Sequence, residues 1–211
     1  MPKIEVIPAI NAENFEDVKK KIKLIEPYCE WVHLDIADGT FTPNTLWHNA
    51  EDLLSFDTPL KIEMHLMIAD MDIRWGEWIL PNVNRIIFHK EVAHDPLFVL
   101  EKIKKSKKEA GVAIRPDTDW MELKDFFENA DLVQVLAVNP GLAGQAFKPE
   151  ILDKVKHIRQ YNSRVIIEVD GGINLETGKQ CAEAGANILV SANYIFGSED
   201  ISGAINNLKN I

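Results

Sequence analysis

The chain has 211 residues, 46% hydrophobic and 27% charged, which is typical of a globular protein with one substantial core. Its net charge of −10 and its pI near 5.1 argue against nucleic acid or an anionic membrane as a partner. No apolar run reaches the roughly 20 residues that span a bilayer, and no stretch resembles a signal peptide, so we expect a cytoplasmic protein. Cys29 and Cys181 have no metal-like spacing, so both are predicted to be reduced thiols.

Apolar runs and amphipathic stretches alternate along the first half of the chain. An amphipathic helix is predicted to begin at Asn11 or Glu13, with Phe15, Val18 and Ile22 on one face. Strands are predicted at 4–9, from 31 into a loop at 39, at 61–66 and at 85–89. Further helices are predicted at 50–54, 73–79 and 96–108.

The second half of the chain repeats the same alternation. Strands are predicted at 111–114, 132–138, 165–169 and 187–190. Helices are predicted within 117–129 and at 149–160, 175–184 and 198–210. No segment rich in Pro or Ser separates these elements, so residues 1–211 are predicted to form a single domain.

Strands that alternate with helices are typical of a parallel sheet. Eight such repeats favour a closed (β/α)8 barrel, the TIM barrel, and the nearly continuous Val/Ile/Leu strands indicate burial on both faces. An open doubly wound sheet is the main alternative. Its dinucleotide-binding version is disfavoured because no Gly-x-Gly-x-x-Gly motif follows the first strand.

Residues of metal-binding type occur where three of the predicted strands end. His33 and Asp35 lie two apart on the second strand and therefore face the same side. His65 belongs to the end of the third strand and Asp170 to the end of the seventh. A His-x-Asp pair alone is more often structural, but the strand ends of a barrel meet at one rim. Two imidazoles and two carboxylates there would suit a divalent ion such as Zn, Fe, Mn or Co.

The loops after the last three strands indicate a phosphorylated substrate. The predicted phosphate-binding residues are Gly141, Gly144, Gly171, Gly172, Ala192 and Asn193. They occupy the usual phosphate position of a barrel, where backbone amides hold the dianion without a basic side chain. Each glycine pair by itself is equally well explained by a turn.

Five sequence blocks now occur together and in order. They are HLDIADGTFTPN at 33–44, HLM at 65–67, VNPGLAGQ at 138–145, EVDGGI at 168–173 and AEAGA at 182–186. On these blocks the chain resembles the ribulose-phosphate 3-epimerase family over nearly its whole length. The resemblance implies a ribulose-phosphate-binding TIM barrel and an isomerase of the pentose phosphate pathway. The family interconverts D-ribulose 5-phosphate and D-xylulose 5-phosphate, and close relatives act on allulose 6-phosphate.

The resemblance also assigns roles to residues. It implies that His33, Asp35, His65 and Asp170 bind one divalent metal per chain, and that Asp35 and Asp170 are also the acid/base pair. Inversion at C3 needs two proton carriers on opposite sides of the substrate plane, and a metal stabilises the enediolate. Neither nicotinamide nor flavin is required. A homo-oligomer is implied as well.

The chain departs from the family at positions that contact substrate. Ala9 replaces a Ser after the first strand, and Ala192-Asn193 replaces the usual Gly-Ser or Gly-Thr after the eighth. The second glycine loop residue of many members is Ala143 here. Three hypotheses follow: a pentulose-phosphate epimerase that tolerates these losses, an epimerase of the same mechanism for another sugar, phosphorylated or not, and a non-catalytic metal-binding relative. We favour the first.

Decarboxylases and aldolases with phosphate-binding barrels are a rival class. They resemble one another in an Asp-x-Lys-x-x-Asp motif after a strand. The corresponding run here starts at Asp35 and reaches Asp38 without a Lys that could protonate a carbanion. This class is therefore disfavoured.

Overall fold

A closed parallel barrel forms the centre of the protein in a computed structural model that describes residues 4–142 and 144–211. Its strands are β1 (Glu5–Ile10), β2 (Trp31–Ala37), β3 (Lys61–Met67), β4 (Val83–His89), β5 (Glu109–Ile114), β6 (Leu132–Leu136), β7 (Ile167–Asp170) and β8 (Ile188–Ser191). Each strand pairs with its neighbour in chain order, and β1 also pairs with β8, which closes the ring. The open-sheet alternative is therefore wrong.

Helices cover the outside of this ring. The α-helices are α1 (Phe15–Ile25), α2 (Met71–Arg74), α3 (Pro96–Lys105), α4 (Ile151–Tyr161), α5 (Leu175–Ala184), α6 (Asn193–Phe196) and α7 (Ile201–Lys209). Shorter 3₁₀ helices lie at Ala50–Ser55, Trp75–Trp78, Lys90–Val92 and Trp120–Phe126. Among the described helices, none is long and apolar enough to cross a membrane.

Local sequence explains where the longer helices begin. The Asn14 side chain accepts a hydrogen bond from the Asp17 amide at the start of α1, and Val18, Ile22 and Ile25 are buried on one face of that helix. The α3 helix begins at Pro96, a residue suited to the first turn of a helix.

Two predicted helices take a tighter form. The Trp-rich stretch 73–79 is split between α2 and the 3₁₀ turn Trp75–Trp78, and the helical part of 117–129 is the 3₁₀ helix Trp120–Phe126. Spacings of three and four residues both put apolar side chains on one face, so the sequence pattern does not distinguish the two forms in short segments. The short helix α6 was not predicted. Ala143, in the first glycine loop, lies outside the described residues.

Strand register fixes which side chains meet at the rim. Asp35 on β2 pairs with His65 on β3, and Leu136 on β6 pairs with Asp170 on β7. One pleat lower, His33 pairs with Glu63. Because residues two apart on a strand share a face, ionisable groups form two levels inside the barrel.

Candidate metal centre and substrate cavity

The four predicted metal-ligand residues lie together at the carboxyl ends of the strands. One ligand atom from each of His33, Asp35, His65 and Asp170 falls within 4.8 Å of the others. The Asp35 Oδ1 atom is 2.9 Å from His65 Nδ1 and 3.3 Å from His33 Nε2, and Asp170 Oδ2 is 3.6 Å from His65 Nδ1. Both imidazoles are fully buried, while the Asp170 side chain is 13% exposed. The two carboxylates are thus the ligands nearest to solvent.

The atoms of this cluster fit a metal ion. His33 Nε2 is buried and has no hydrogen-bond partner, although it points to the centre of the cluster. Its other ring nitrogen, Nδ1, lies 2.6 Å from Glu63 Oε1. A carboxylate oxygen accepts, so Nδ1 holds a hydrogen there and Nε2 is the atom left for a ligand role. Two nitrogen and two oxygen donors match the preferences of borderline divalent ions.

The two rim carboxylates have opposite electrostatic environments. Burial opposes ionisation of Asp35, but contacts with the His33 and His65 rings outweigh it and lower the pKa of Asp35 well below its usual value. Burial and the Asp35 charge raise the pKa of Asp170 to about 6. Near neutral pH one carboxyl group is therefore firmly ionised, while the other exchanges its proton readily. Environments that separate two carboxyl groups in this way are typical of acid/base pairs.

A buried ion pair lies directly below the cluster, and the sequence analysis missed it. Glu63 Oε2 accepts a hydrogen bond from Arg85 Nη1 at 2.6 Å. The Arg85 guanidinium also lies 4.1 Å over the Trp31 ring and donates to Glu109 at 2.7 Å. The signal in the sequence was position, because Glu63 stands two residues before His65 and must share its face.

Removing Arg85 should destabilise the protein strongly. The variant Arg85→Leu leaves the fully buried Glu63 without its cation, and breaking a buried pair in this way typically costs about 3–5 kcal/mol. Urea unfolding would measure the loss. The double variant Glu63→Gln/Arg85→Leu removes both charges and should recover part of the stability. A single variant as stable as the parent would contradict the role of the pair.

A second buried carboxyl group on the same level is Glu168, two residues before Asp170. Its Oε1 atom accepts a hydrogen bond from Gln134 Nε2 at 2.9 Å, and its Oε2 atom has no partner. Burial and the nearby Glu63 charge raise the pKa of Glu168 well above its usual value. Glu168 is therefore protonated near neutral pH, and it adds no negative charge beneath the cluster.

A cavity of about 550 Å³ opens above the cluster, and Asp35 and Asp170 both line it. All six predicted phosphate-binding residues line the same cavity: Gly141, Gly144, Gly171, Gly172, Ala192 and Asn193. None of the lining residues that the structure describes has a positively charged side chain. An anionic group bound here would contact backbone amides and neutral side chains.

Two asparagines give the cavity a chain-specific character. The Asn11 amide donates to Asp35 Oδ2 at 2.5 Å, on the side of Asp35 away from the histidines. At the opposite end, the Asn193 amide nitrogen lies 3.0 Å from the place where a Cβ on Gly144 would lie. Asn139 and Gln145 also line this end. The sequence analysis did not assign a role to Asn11, and its polar side chain after an apolar strand was the available signal.

Gly172 should not tolerate even a methyl group. Its φ is +65°, and a Cβ there would lie 2.9 Å from the backbone N and Cα of Phe147. Gly172→Ala should therefore lower the free energy of unfolding by more than the roughly 1–2 kcal/mol of the left-handed conformation alone. It should also raise the KM for a phosphorylated ketose, since the loop must shift. Gly76→Ala is the matched control, because nothing lies within 4 Å of that added Cβ.

Comparison with known proteins agrees with the fold and the cluster. The model of the ribulose-phosphate 3 epimerase family matches residues 5–196. A ribulose-phosphate 3-epimerase from Mycobacterium leprae is 30% identical over 210 residues, covering 97% of this chain and 93% of that protein. A ribulose-phosphate 3-epimerase from Bacillus subtilis is 31% identical over 213 residues, covering 98% of both chains.

A solved structure shows the same architecture at low identity. The 3-hexulose-6-phosphate synthase from Salmonella typhimurium superposes with a TM-score of 0.73 at 12% identity, covering 98% of this chain and 97% of that one. At this identity the likeness shows the fold alone. The predicted (β/α)8 barrel is confirmed, as is the resemblance based on the five sequence blocks. The chain belongs to the ribulose-phosphate 3-epimerase family and is a carbohydrate epimerase of the isomerase class.

Proposed function

We propose that the protein inverts C3 of D-ribulose 5-phosphate to give D-xylulose 5-phosphate, and catalyses the reverse reaction. One observation carries this proposal: Asp35 and Asp170 line a single cavity and have pKa values displaced in opposite directions. Such a pair supplies an acceptor and a donor of protons at the same place. The names of the relatives from Mycobacterium leprae and Bacillus subtilis support the choice of substrate.

In the proposed reaction Asp35 and Asp170 act on opposite faces of the substrate. One carboxylate removes the C3 proton, the electron pair moves into an enediolate, and the other carboxyl group gives a proton to the opposite face of C3. The product has the same atoms and charge as the substrate. Each turnover exchanges the protonation states of the two groups, and the reverse reaction restores them.

We propose that His33 Nε2, His65 Nδ1, Asp35 and Asp170 hold one divalent ion, chosen from Zn, Fe, Mn and Co. The unpartnered His33 Nε2 atom and the mixed nitrogen and oxygen donors support this site. A bound ion would supply Lewis acidity, which stabilises negative charge on substrate oxygens. No nicotinamide or flavin is needed, because the reaction has no net oxidation.

The glycine loops are proposed to bind the phosphate. Gly171 and Gly172 both have positive φ values, so their backbones approach the cavity where a side chain would not fit. Asn193 adds an amide at the same end. Binding through neutral donors agrees with the absence of a cation among the described lining residues.

A second candidate is the same inversion on another ketose, such as allulose 6-phosphate or an unphosphorylated ketose. Two observations favour it: Ala9 presents no hydroxyl to the cavity, and the Asn193 amide lies beside Gly144, where phosphate is expected. A larger change in substrate would leave Asp35, Asp170 and the proton transfer unaltered.

Solvent-deuterium exchange at C3 tests the proposal. The metal-loaded protein is incubated in D₂O with ribulose 5-phosphate, allulose 6-phosphate and the two corresponding free ketoses, and proton NMR follows the C3 signal. We expect exchange and formation of xylulose 5-phosphate from ribulose 5-phosphate. Exchange only with another ketose would support the second candidate. No exchange with any of them, in protein that holds metal, would make the chain a non-catalytic metal-binding relative.

We extend the proposal to the state of the protein. We propose a cytoplasmic homo-oligomer, formed by residues 1–211 as one domain, that binds no nucleic acid. The net charge of −10 supports the last point, and exposed apolar side chains such as Leu54 and Ile73 support self-association. Sedimentation equilibrium of the purified chain would measure the oligomeric state.

A further inference from the structure

A buried chain of hydrogen bonds leads outward from His65 and has no part in the reaction proposed above. His65 Nδ1 faces Asp35 and Asp170, but its Nε2 atom lies 3.0 Å from Nε2 of His89 at the end of β4. His89 Nδ1 lies 3.3 Å from Glu91 Oε2. His89 is fully buried, and neither His89 nor Glu91 lines the cavity. These two residues therefore reach the rim only through His65.

The outer end of this chain is firmly held. Glu91 Oε1 accepts a hydrogen bond from the Arg115 backbone N–H at 2.9 Å and another from Thr118 Oγ1. Although burial opposes ionisation, hydrogen bonds with His89 and these two groups lower the pKa of Glu91 to about 2. Lys154 Nζ donates to the Arg115 carbonyl at 3.1 Å and fixes the loop that supplies these contacts.

A cover over His89 keeps the chain dry. The Phe41 ring centroid lies 4.8 Å from that of His89, and the Arg115 guanidinium lies 4.1 Å over the Phe41 ring. Arg115 also donates to the Phe41 carbonyl at 3.2 Å. Water is thereby kept from the His65–His89 contact, so each ring nitrogen must find its partner within the protein.

The positions of the hydrogens follow from the outer end inward. A Glu91 carboxylate only accepts, so His89 Nδ1 must hold a hydrogen. The Nε2 atom of a neutral His89 then accepts, and the facing His65 Nε2 must hold a hydrogen. His65 Nδ1 is left with a lone pair that points at Asp35 and Asp170, which is the form that a metal ion requires. The opposite assignment would place an unprotonated His89 Nδ1 against a carboxylate.

We propose that His89 and Glu91 are positioning residues that fix the tautomer and ring orientation of His65 for metal binding through Nδ1. This inference rests on the proposed metal site. His89 takes the role of acceptor for the ligand imidazole, and Glu91 takes the role of acceptor for His89. Loss of such a supporting partner typically weakens metal binding 10- to 100-fold, roughly.

Metal affinity measures this effect directly. The probe is Zn²⁺, titrated into metal-free protein in competition with a fluorescent chelator, with Co²⁺ absorption as a second signal. The variant His89→Leu removes the acceptor and should weaken Zn²⁺ binding by about 10- to 100-fold. His89→Gln keeps an acceptor oxygen within reach of His65 and should restore most of the affinity. His94→Leu, a change at an exposed histidine, is the matched control.

Folding is separated from positioning by thermal unfolding of the metal-free variants. His89→Leu and His89→Gln are expected to differ in Zn²⁺ affinity by more than any difference in their metal-free Tm explains. Equal Zn²⁺ affinity in His89→Leu and the parent would overturn the inference and leave the proposed function intact. Equal losses in the Leu and Gln variants would overturn it as well. A parent that binds neither Zn²⁺ nor Co²⁺ would instead refute the metal site itself.

Discussion

Asp170→Asn is expected to slow the inversion of ribulose 5-phosphate by a factor of about 10²–10⁴, the contribution of a positioned general acid or base. Asn keeps the size of the side chain but does not accept or return the proton. Asp35 remains, and it should still remove the C3 proton from one of the two epimers. Proton NMR in D₂O, started from each epimer in turn, should therefore show exchange without inversion for one epimer and neither process for the other.

Asp125→Asn is the matched control for this experiment, because Asp125 is exposed on the 3₁₀ helix Trp120–Phe126. It makes the same chemical change far from Asp35 and should retain parental rates. Metal content is measured in both variants, so that a loss of metal is separated from a loss of proton transfer. Two epimers that both exchanged at parental rates in Asp170→Asn would exclude Asp170 from the acid/base pair.

The second large effect is expected from His65→Ala. The parent should purify with, or take up, about one divalent ion per chain, the number that a single four-ligand site holds. His65→Ala removes the one imidazole that faces both Asp35 and Asp170, so most of the metal and nearly all epimerase activity should be lost. Inductively coupled plasma spectrometry after dialysis measures the metal, with His94→Ala as the control. Full metal content in His65→Ala would mean that the ion binds elsewhere.

Metal binding should also depend on pH in a definite direction. Burial opposes protonation of His33, but the carboxylates of Asp35 and Glu63 outweigh it and raise the pKa of His33 well above its usual value. The incoming ion must displace this proton, since a ligand nitrogen needs its lone pair. Binding should therefore tighten as pH rises and release protons, which calorimetry in buffers of different ionisation enthalpy would detect.

The barrel was predictable because each strand is a short, nearly continuous apolar run. Strands such as Ile62–Leu66 and Arg85–Phe88 needed no other information to be assigned, since burial on both faces leaves only apolar side chains at most positions. Helical form was less predictable. In the stretch after β5, tertiary packing of Leu123 and Phe126 selects a 3₁₀ helix over an α-helix, and both forms bury those side chains equally well.

The rim was more predictable than what supports it. His33, Asp35, His65 and Asp170 follow from the rule that barrel chemistry lies at strand ends, and their roles remain predictions. The partner of each imidazole did not follow. The Glu63–His33 and His89–His65 contacts depend on register and on rotamers, which one sequence does not specify.

The contact between β1 and β8 has a consequence for how the protein is made. Glu5 pairs with Ile188, so the first strand waits for almost the whole chain before its second neighbour exists. During synthesis the nascent sheet has free edges at β1 and at its most recent strand, and free edges attract other chains. Contacts between residues so distant in sequence also form slowly. His33 and Asp170 meet only in the closed ring, so a bound ion would favour that state over every partly synthesised one. Metal supply during growth would then set the yield of folded protein as well as its activity.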